Sequence, residues 1–335
     1  MASTKVGLAD ASWSIPLILY KLSGRRLARF PQLYRAGVLR QRLVSRHLPG
    51  MTTVTERAYF KWHAQEIFGG RGAIVDLGSW FGSTTAALAM GLCANSHPAA
   101  QRAVIHAFDR FTWEPWMDSY AHAARFGSYS PGDTFLGEFE VVTRPWRHRI
   151  EVHGGDLLNQ TWDDRPIEVL LIDAMKSWEL AQHILIHFCG ALMKDHGYLI
   201  HQDFSNCFTS WIPLVTYRLR NFLEPVQSVP RSETMVFRVV RLLEEHPDLL
   251  GMTRSSFDDM EVNEAFDFAL RITDAEKHSG INAARAMLLV YDGDLAGAKE
   301  RVDMLDRMGK LSEFHHAAVL GAIDRAEQPT GANGL

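Results

Sequence analysis

Residues 74–85 read Ile-Val-Asp-Leu-Gly-Ser-Trp-Phe-Gly-Ser-Thr-Thr, IVDLGSWFGSTT. A short apolar run carries an acid, Asp76. Gly78, Ser79 and Gly82 then supply a turn, and small residues from Ser83 and Thr84 onward begin a helix. A strand that gives way to a glycine turn and a helix is the opening of a β–α unit. Glycine lets backbone approach a ligand closely, and the unpaired N–H groups of the first helical turn offer it donors. The spacing is G-x-x-x-G with Trp80 inside it, not the dinucleotide fingerprint G-x-G-x-x-G. An NAD-type dehydrogenase is disfavoured on that ground.

The same pattern repeats outward from this stretch. Strands are predicted at 73–76, 103–108, 149–153, 168–172 and 197–202, with helices at 55–68, 84–93, 178–193 and 211–222. Asp76, Asp109, Asp173 and Asp203 end four of these strands or follow directly, and Asp156 stands three residues past the third. Two further β-like runs, 225–229 and 233–240, are joined tightly enough to pair antiparallel at the sheet edge. The reading is an α/β protein with a doubly wound, mostly parallel seven-stranded sheet and an antiparallel final strand pair. In such sheets ligands bind beyond the carboxyl ends of the strands, where these acids lie.

The remaining chain is organised around that unit. Residues 1–54 form a basic helical segment, 55–242 the sheet domain with an aromatic insert at 110–148, 243–327 a helical segment, and 328–335 a disordered tail. Residues 1–50 carry a net charge of +8, 51–240 of −4 and 241–335 of −8. The basic head fits either an anionic partner, such as a membrane surface, or the acidic remainder of the chain itself. In the helical segment, AARAMLLVYDGDLAGAKERVDML is similar to one tetratricopeptide hairpin, a unit suited to protein docking or homo-oligomerisation. Three widely spaced cysteines exclude a disulfide framework and a CxxC zinc site, which points to a cytoplasmic location. No apolar run reaches the length of a membrane span.

The ordered acids carry a resemblance. Asp109 closes its strand 33 residues after Asp76, where a carboxylate can accept from both ribose hydroxyls, and Asp156 lies where an amino group can be received. With the turn at 78–82 this set resembles the class I S-adenosylmethionine (SAM) methyltransferases over roughly residues 55–240. The resemblance implies SAM as cofactor. It places Asp76, Gly78, Ser79, Gly82, Ser83 and Thr84 along the methionine part, Asp109 at the ribose and Asp156 at the adenine, with Asp173 close by. Trp80, where the family's commoner first motif has a third glycine, looks like the loop of macrocin-type sugar O-methyltransferases.

A second group is LLIDAMKSWE, 170–179, with YLIHQDF, 198–204. Asp173-x-x-Lys176 is similar to the catechol-type metal-dependent O-methyltransferases, which implies a metal-binding aspartate and a lysine base. Those relatives carry Asp-Asn or Asp-Asp at the end of the next strand, and this chain has Gln202-Asp203-Phe204. Asp173, Gln202 and Asp203 are then the oxygen ligands for Mg²⁺, and without metal Lys176 or His201 takes the substrate proton directly. A lysine in a dry pocket has its pKa lowered towards a base's range. The expected activity is methyl transfer to a small-molecule or glycan hydroxyl, with Trp113, Trp116 and Trp146 as stacking platforms. The alternative is an inactive methyltransferase-like scaffold. No nucleic-acid partner is expected. His183 and His187 lack the glutamate of a zinc-protease helix and read as packing residues.

Overall fold

The computed structural model describes residues 48–123, 127–244, 246 and 249–328. The basic head up to residue 47, Phe126 of the insert and the tail from 329 lie outside the described residues. Helix α1 (Val54–Trp62) starts at a capping box in which Thr53 and Glu56 satisfy each other's backbone N–H. It passes into a π-helical turn, His63–Ile67, where one continuous helix to residue 68 was expected.

Seven strands follow: β1 (Ala73–Leu77), β2 (Ile105–Asp109), β3 (Ile150–Gly154), β4 (Ile167–Ile172), β5 (Tyr198–His201), β6 (Leu223–Ser228) and β7 (Met235–Val239). They form one sheet in the order β3-β2-β1-β4-β5-β7-β6. The first five pair in parallel, and β7 runs antiparallel to both neighbours. The final hairpin thus does not simply extend the edge in sequence order. Its second strand inserts beside β5 and leaves β6 outermost.

Alternation along the strands divides the core into two layers. Ile74, Val169, Leu171 and Ile200 pack with Tyr59, Phe60 and Trp62 of α1 and Leu88 and Leu92 of α2 (Ser83–Ala94). Val75, Leu77, Leu170, Ile172 and Leu199 pack on the other face. There they meet Ile184 and Leu185 of the helix Trp178–His187 and Val215 of the helix Trp211–Arg218. The insert contributes α3 (Leu136–Thr143), so these two are α4 and α5. Helix α4 stops at His187 rather than residue 193 and continues as a 3₁₀ turn, Cys189–Ala191.

Four α-helices follow among the described residues: α6 (Asp259–Ile272), α7 (His278–Tyr291), α8 (Leu295–Arg307) and α9 (Glu313–Glu327). Phe266 and Ala269 of α6 and Ile281 and Leu288 of α7 join the sheet's own core. Ala283 and Met287 of α7 face a separate cluster with Val302, Val319 and Ile323. A methyl group at Gly280 would collide with the backbone oxygen of Ser205, so α7 runs directly against the loop after β5. No helix of the described residues is long and apolar enough to cross a membrane.

Candidate active site

The parallel strands bring the predicted acids to one end of the sheet. Asp76, the fourth residue of β1, is fully buried. Its Oδ2 accepts from Thr85 Oγ1 at 2.6 Å and Thr84 Oγ1 at 3.0 Å, and Oδ1 has no partner among the described residues. Burial pushes its carboxyl up to about 6, against the pull of the two hydroxyls. Asp76 stands behind the cavity lining and ties the first turn of α2 to β1.

The turn itself is built for close approach. Gly78 takes φ +92°, and a Cβ there would come within 2.9 Å of the Asp173 backbone. Gly78 and Ser79 donate their N–H groups to the Phe108 carbonyl at 2.8 and 3.2 Å, which ties the turn to β2. Trp80 also lies in the left-handed region, at φ 42°, with its ring stacked 4.4 Å from Phe81. That conformation aims its N–H at Asp109 Oδ2, 2.8 Å away, while Asp109 Oδ1 accepts from Phe111 N at 2.7 Å. Burial raises the Asp109 carboxyl, and these two backbone donors oppose the rise.

Gly78, Ser79, Trp80, Ser83, Thr84 and Asp109 line a cavity of about 200 Å³, together with Asp156 and Leu157. Gly82, at φ +85°, caps α2 just behind them. Asp156 Oδ1 accepts from Leu158 N at 3.1 Å, and Arg110 Nη2 approaches Oδ2 at 3.4 Å. A glycine turn that a Cβ would obstruct and a carboxylate at the end of β2 fit a nucleoside cofactor of the SAM type.

Asp173, just past β4, and Lys176 line both this cavity and a larger cleft of about 1390 Å³. Lys176 Nζ donates to Asp173 Oδ1 at 2.8 Å and also to Asp203 Oδ2. Burial pulls the lysine's pKa down, but the two carboxylates outweigh it and raise it. The expected lowering is therefore reversed: Lys176 is an ammonium ion clamped by two acids, not a free base. Burial lifts Asp173 above the ordinary carboxylate range, with Lys176 drawing it back. Gln202 lines the same cleft, 7% exposed, with Oε1 unpartnered among the described residues. The lysine ammonium already fills the space between Asp173 and Asp203, so the three predicted oxygen ligands do not fit Mg²⁺ in this arrangement.

His201 is elsewhere. It is the last residue of β5, 1% exposed and edge-on to Phe237, and it lines neither cavity. Burial drives its imidazole down to about 4, so it is neutral and enclosed rather than available to a substrate. Among the predicted stacking residues, Trp116 lines the cleft at 51% exposure. Trp113 is buried with Phe81, Phe111, Phe135 and Phe139 in the insert's own small core, and Trp146 packs partly buried against the α1–α2 layer.

The structure adds residues that sequence reasoning missed. Glu56 reaches the cleft from the capping box of α1 and accepts from Thr234 Oγ1 at 2.6 Å, 178 positions away in sequence. Glu233, from the β6–β7 hairpin, lines the same wall, and burial pushes its carboxyl up to about 7. Trp178, Trp211 and Tyr291 close the cleft from α4, α5 and α7. Nothing local in the sequence marked any of these as site residues.

No protein-family model and no curated protein matches the chain. Among solved structures it is similar to the O-methyltransferase NovP, at 15% identity over 57% of this chain and 82% of that one, TM-score 0.42. It is also similar to CalS11, a calicheamicin methyltransferase, at 14% identity over 69% of this chain and 99% of that one, TM-score 0.43. The pyocyanin biosynthetic protein PhzM matches at 15% identity and TM-score 0.34, and the alignment covers 54% of each chain.

Proposed function

We propose that the protein is a SAM-dependent O-methyltransferase acting on a small hydroxylated acceptor, with a sugar hydroxyl as the leading candidate. The observation that carries this reading is the meeting of the two cavities. The glycine turn and Asp109 line the smaller one, and it opens onto the larger cleft at Asp173 and Lys176.

Gly78, Ser79, Ser83 and Thr84 would hold the methionine part of SAM, Asp109 its ribose and Asp156 the adenine end. When bound, SAM supplies an already activated methyl group, so the protein's own work is positioning and proton removal. Asp173 is raised by burial and stands at the junction, so it takes the acceptor hydroxyl's proton as the oxygen gains its methyl. Lys176, fixed between Asp173 and Asp203, keeps the carboxylate oriented and presents positive charge to the oxygen as it loses its proton. Carboxylates and aromatic faces along the cleft wall, with Glu56, Glu233, Trp116 and Trp178 among them, suit a polyhydroxylated ring. They offer acceptors for its hydroxyls and flat surfaces for its apolar face. The reaction on this reading proceeds without a divalent ion.

The test pairs calorimetry with turnover. S-adenosylhomocysteine should bind wild type, Asp173→Asn and Lys176→Met comparably, while both variants lose methyl transfer to a hydroxylated acceptor. Asp109→Ala should instead weaken cofactor binding by about 10–100-fold, the worth of charge-assisted hydrogen bonds. EDTA should leave wild-type turnover unchanged. Failure of folded wild-type protein to bind S-adenosylhomocysteine would overturn the enzyme reading in favour of a non-catalytic scaffold.

A further inference from the structure

Outside the lining of both cavities, the β2–β3 edge carries a cluster that the proposed methyl transfer does not use. His106 on β2 lies opposite Glu151 on the outermost strand β3, and Phe108 lies opposite His153. All four project from the same face of the ribbon, since their positions alternate in step. His106 Nδ1 and His153 Nε2 are 3.1 Å apart. Glu151 places Oε2 3.6 Å from His106 Nδ1 and Oε1 3.6 Å from His153 Nε2. Among the described residues this is the one group of three or more His, Cys, Asp or Glu side chains whose donor atoms gather closely enough to share an ion.

We propose that His106, Glu151 and His153 form a binding site for a divalent transition metal, of which Zn²⁺ is the natural case. Zinc bonds of about 2.0–2.2 Å at tetrahedral angles separate neighbouring donor atoms by roughly 3.3–3.5 Å. The observed separations of 3.1 and 3.6 Å bracket that range, and because the two Glu151 contacts use different oxygens, its exposed side chain turns one of them towards the ion as it binds. Two imidazoles and one carboxylate are also the donor types that borderline divalent ions prefer over Mg²⁺ or Ca²⁺.

The rings are held in place before any ion arrives. Phe108 stacks on His153 at 4.2 Å and 9°, and Trp162 meets His106 edge-on at 5.0 Å and 78°. His106 is 2% exposed, whereas the Glu151 side chain is 56% exposed. The site is thus anchored on its inner side and open on its outer side, where water or an exogenous ligand completes the tetrahedron. In the metal-free state the two imidazoles share one hydrogen bond, and its N–H proton moves to the other nitrogen of its own ring as the ion takes His106 Nδ1 and His153 Nε2.

The site has a mechanical consequence. All five residues of β3 lie at intermediate or full exposure, the pattern of a thinly covered edge strand. A bond between β2 and β3 fastens that strand, and the segment after it carries Asp156 and Leu157 to the smaller cavity.

The test uses the full chain, stripped with a chelator and titrated with Zn²⁺ against a chromophoric competitor. One ion per chain should bind, with a rise in the thermal midpoint. Glu151→Gln and His153→Gln, both at accessible positions, should each weaken binding by more than about tenfold and abolish the thermal shift. The other close imidazole pair, His183 and His187 with ring centres 4.3 Å apart, provides the control: His183→Asn/His187→Asn should bind as wild type. Absence of stoichiometric binding would overturn the proposal. So would binding that survives Glu151→Gln and His153→Gln or is lost in the control variant.

Discussion

At the scale of single residues, burial sets the protonation of groups that sequence spacing alone marks as candidates. Asp76 and His63 are both fully buried, and they titrate with opposite consequences. The Asp76 carboxyl is raised to about 6, so the folded chain keeps a proton that the unfolded chain has released. Its contribution to stability is present below the ordinary carboxylate range and is lost as pH climbs through about 6. A shift of this size corresponds to about 3 kcal/mol. Asp76→Asn should therefore gain on wild type in urea midpoint as pH rises from about 4 to 7. His63 has no hydrogen-bond partner for either ring nitrogen among the described residues, and burial drives it down to about 3. Its unfolded form takes up a proton below about 6.5, so stability falls as pH drops, and His63→Leu should flatten that acid limb. A parallel pH profile for wild type and both variants would contradict the assignment. The aspartates themselves were legible in the sequence because each ends a strand. Their division of labour was not, since only packing reveals that Asp76 ties helix to strand while Asp109 and Asp173 face the cavities.

At the scale of elements, one buried carboxylate fixes where the sheet begins. Glu168 of β4 is 1% exposed and accepts from the backbone N–H of Gly69 at 2.6 Å, Arg71 at 2.6 Å and Gly72 at 3.2 Å. It holds the loop that feeds β1 and so sets the height of the whole 73–85 turn. Glu168→Ala leaves one buried and two part-buried donors without their acceptor and should cost about 2–3 kcal/mol in urea unfolding. Glu168→Gln, which keeps an oxygen in place, should recover part of that loss. An alanine variant as stable as wild type would show that water replaces the carboxylate freely. The strand hosting Glu168 was readable from its apolar run. The loop it captures lies about a hundred positions earlier, and pairings of that range leave no local trace.

At the scale of the whole molecule, the C-terminal segment helps to shape the larger cleft. Glu276 and Tyr291 line that cleft, and Phe266, Ile281 and Leu288 belong to the core under the sheet. Arg218 of α5 grips Glu261 of α6 through two hydrogen bonds of 2.6 Å, which fixes the first of these helices to the sheet layer. A chain ending at residue 257 should fail to fold cooperatively, because it exposes the apolar face that α6 and α7 cover. Circular dichroism and size exclusion would check this, and a compact, cooperatively melting fragment would contradict it. Reading the segment as a separate helical unit follows from its change of period, which is real. Periodicity identifies a helix but not the surface that its apolar stripe meets.

What the sequence by itself determined is local and periodic: the alternation of strands and helices, the turn after β1, the acids at strand ends and the antiparallel last pair. These follow from side-chain spacing within a few residues, where covalent neighbours dictate geometry. The tertiary structure alone decided the insertion of β7 inside β6, the clamping of Lys176 as an ammonium ion, the burial of His201 and the arrival of Glu56 and Glu233 at the cleft. Each depends on contacts between distant segments, and on the desolvation that only a packed neighbour imposes.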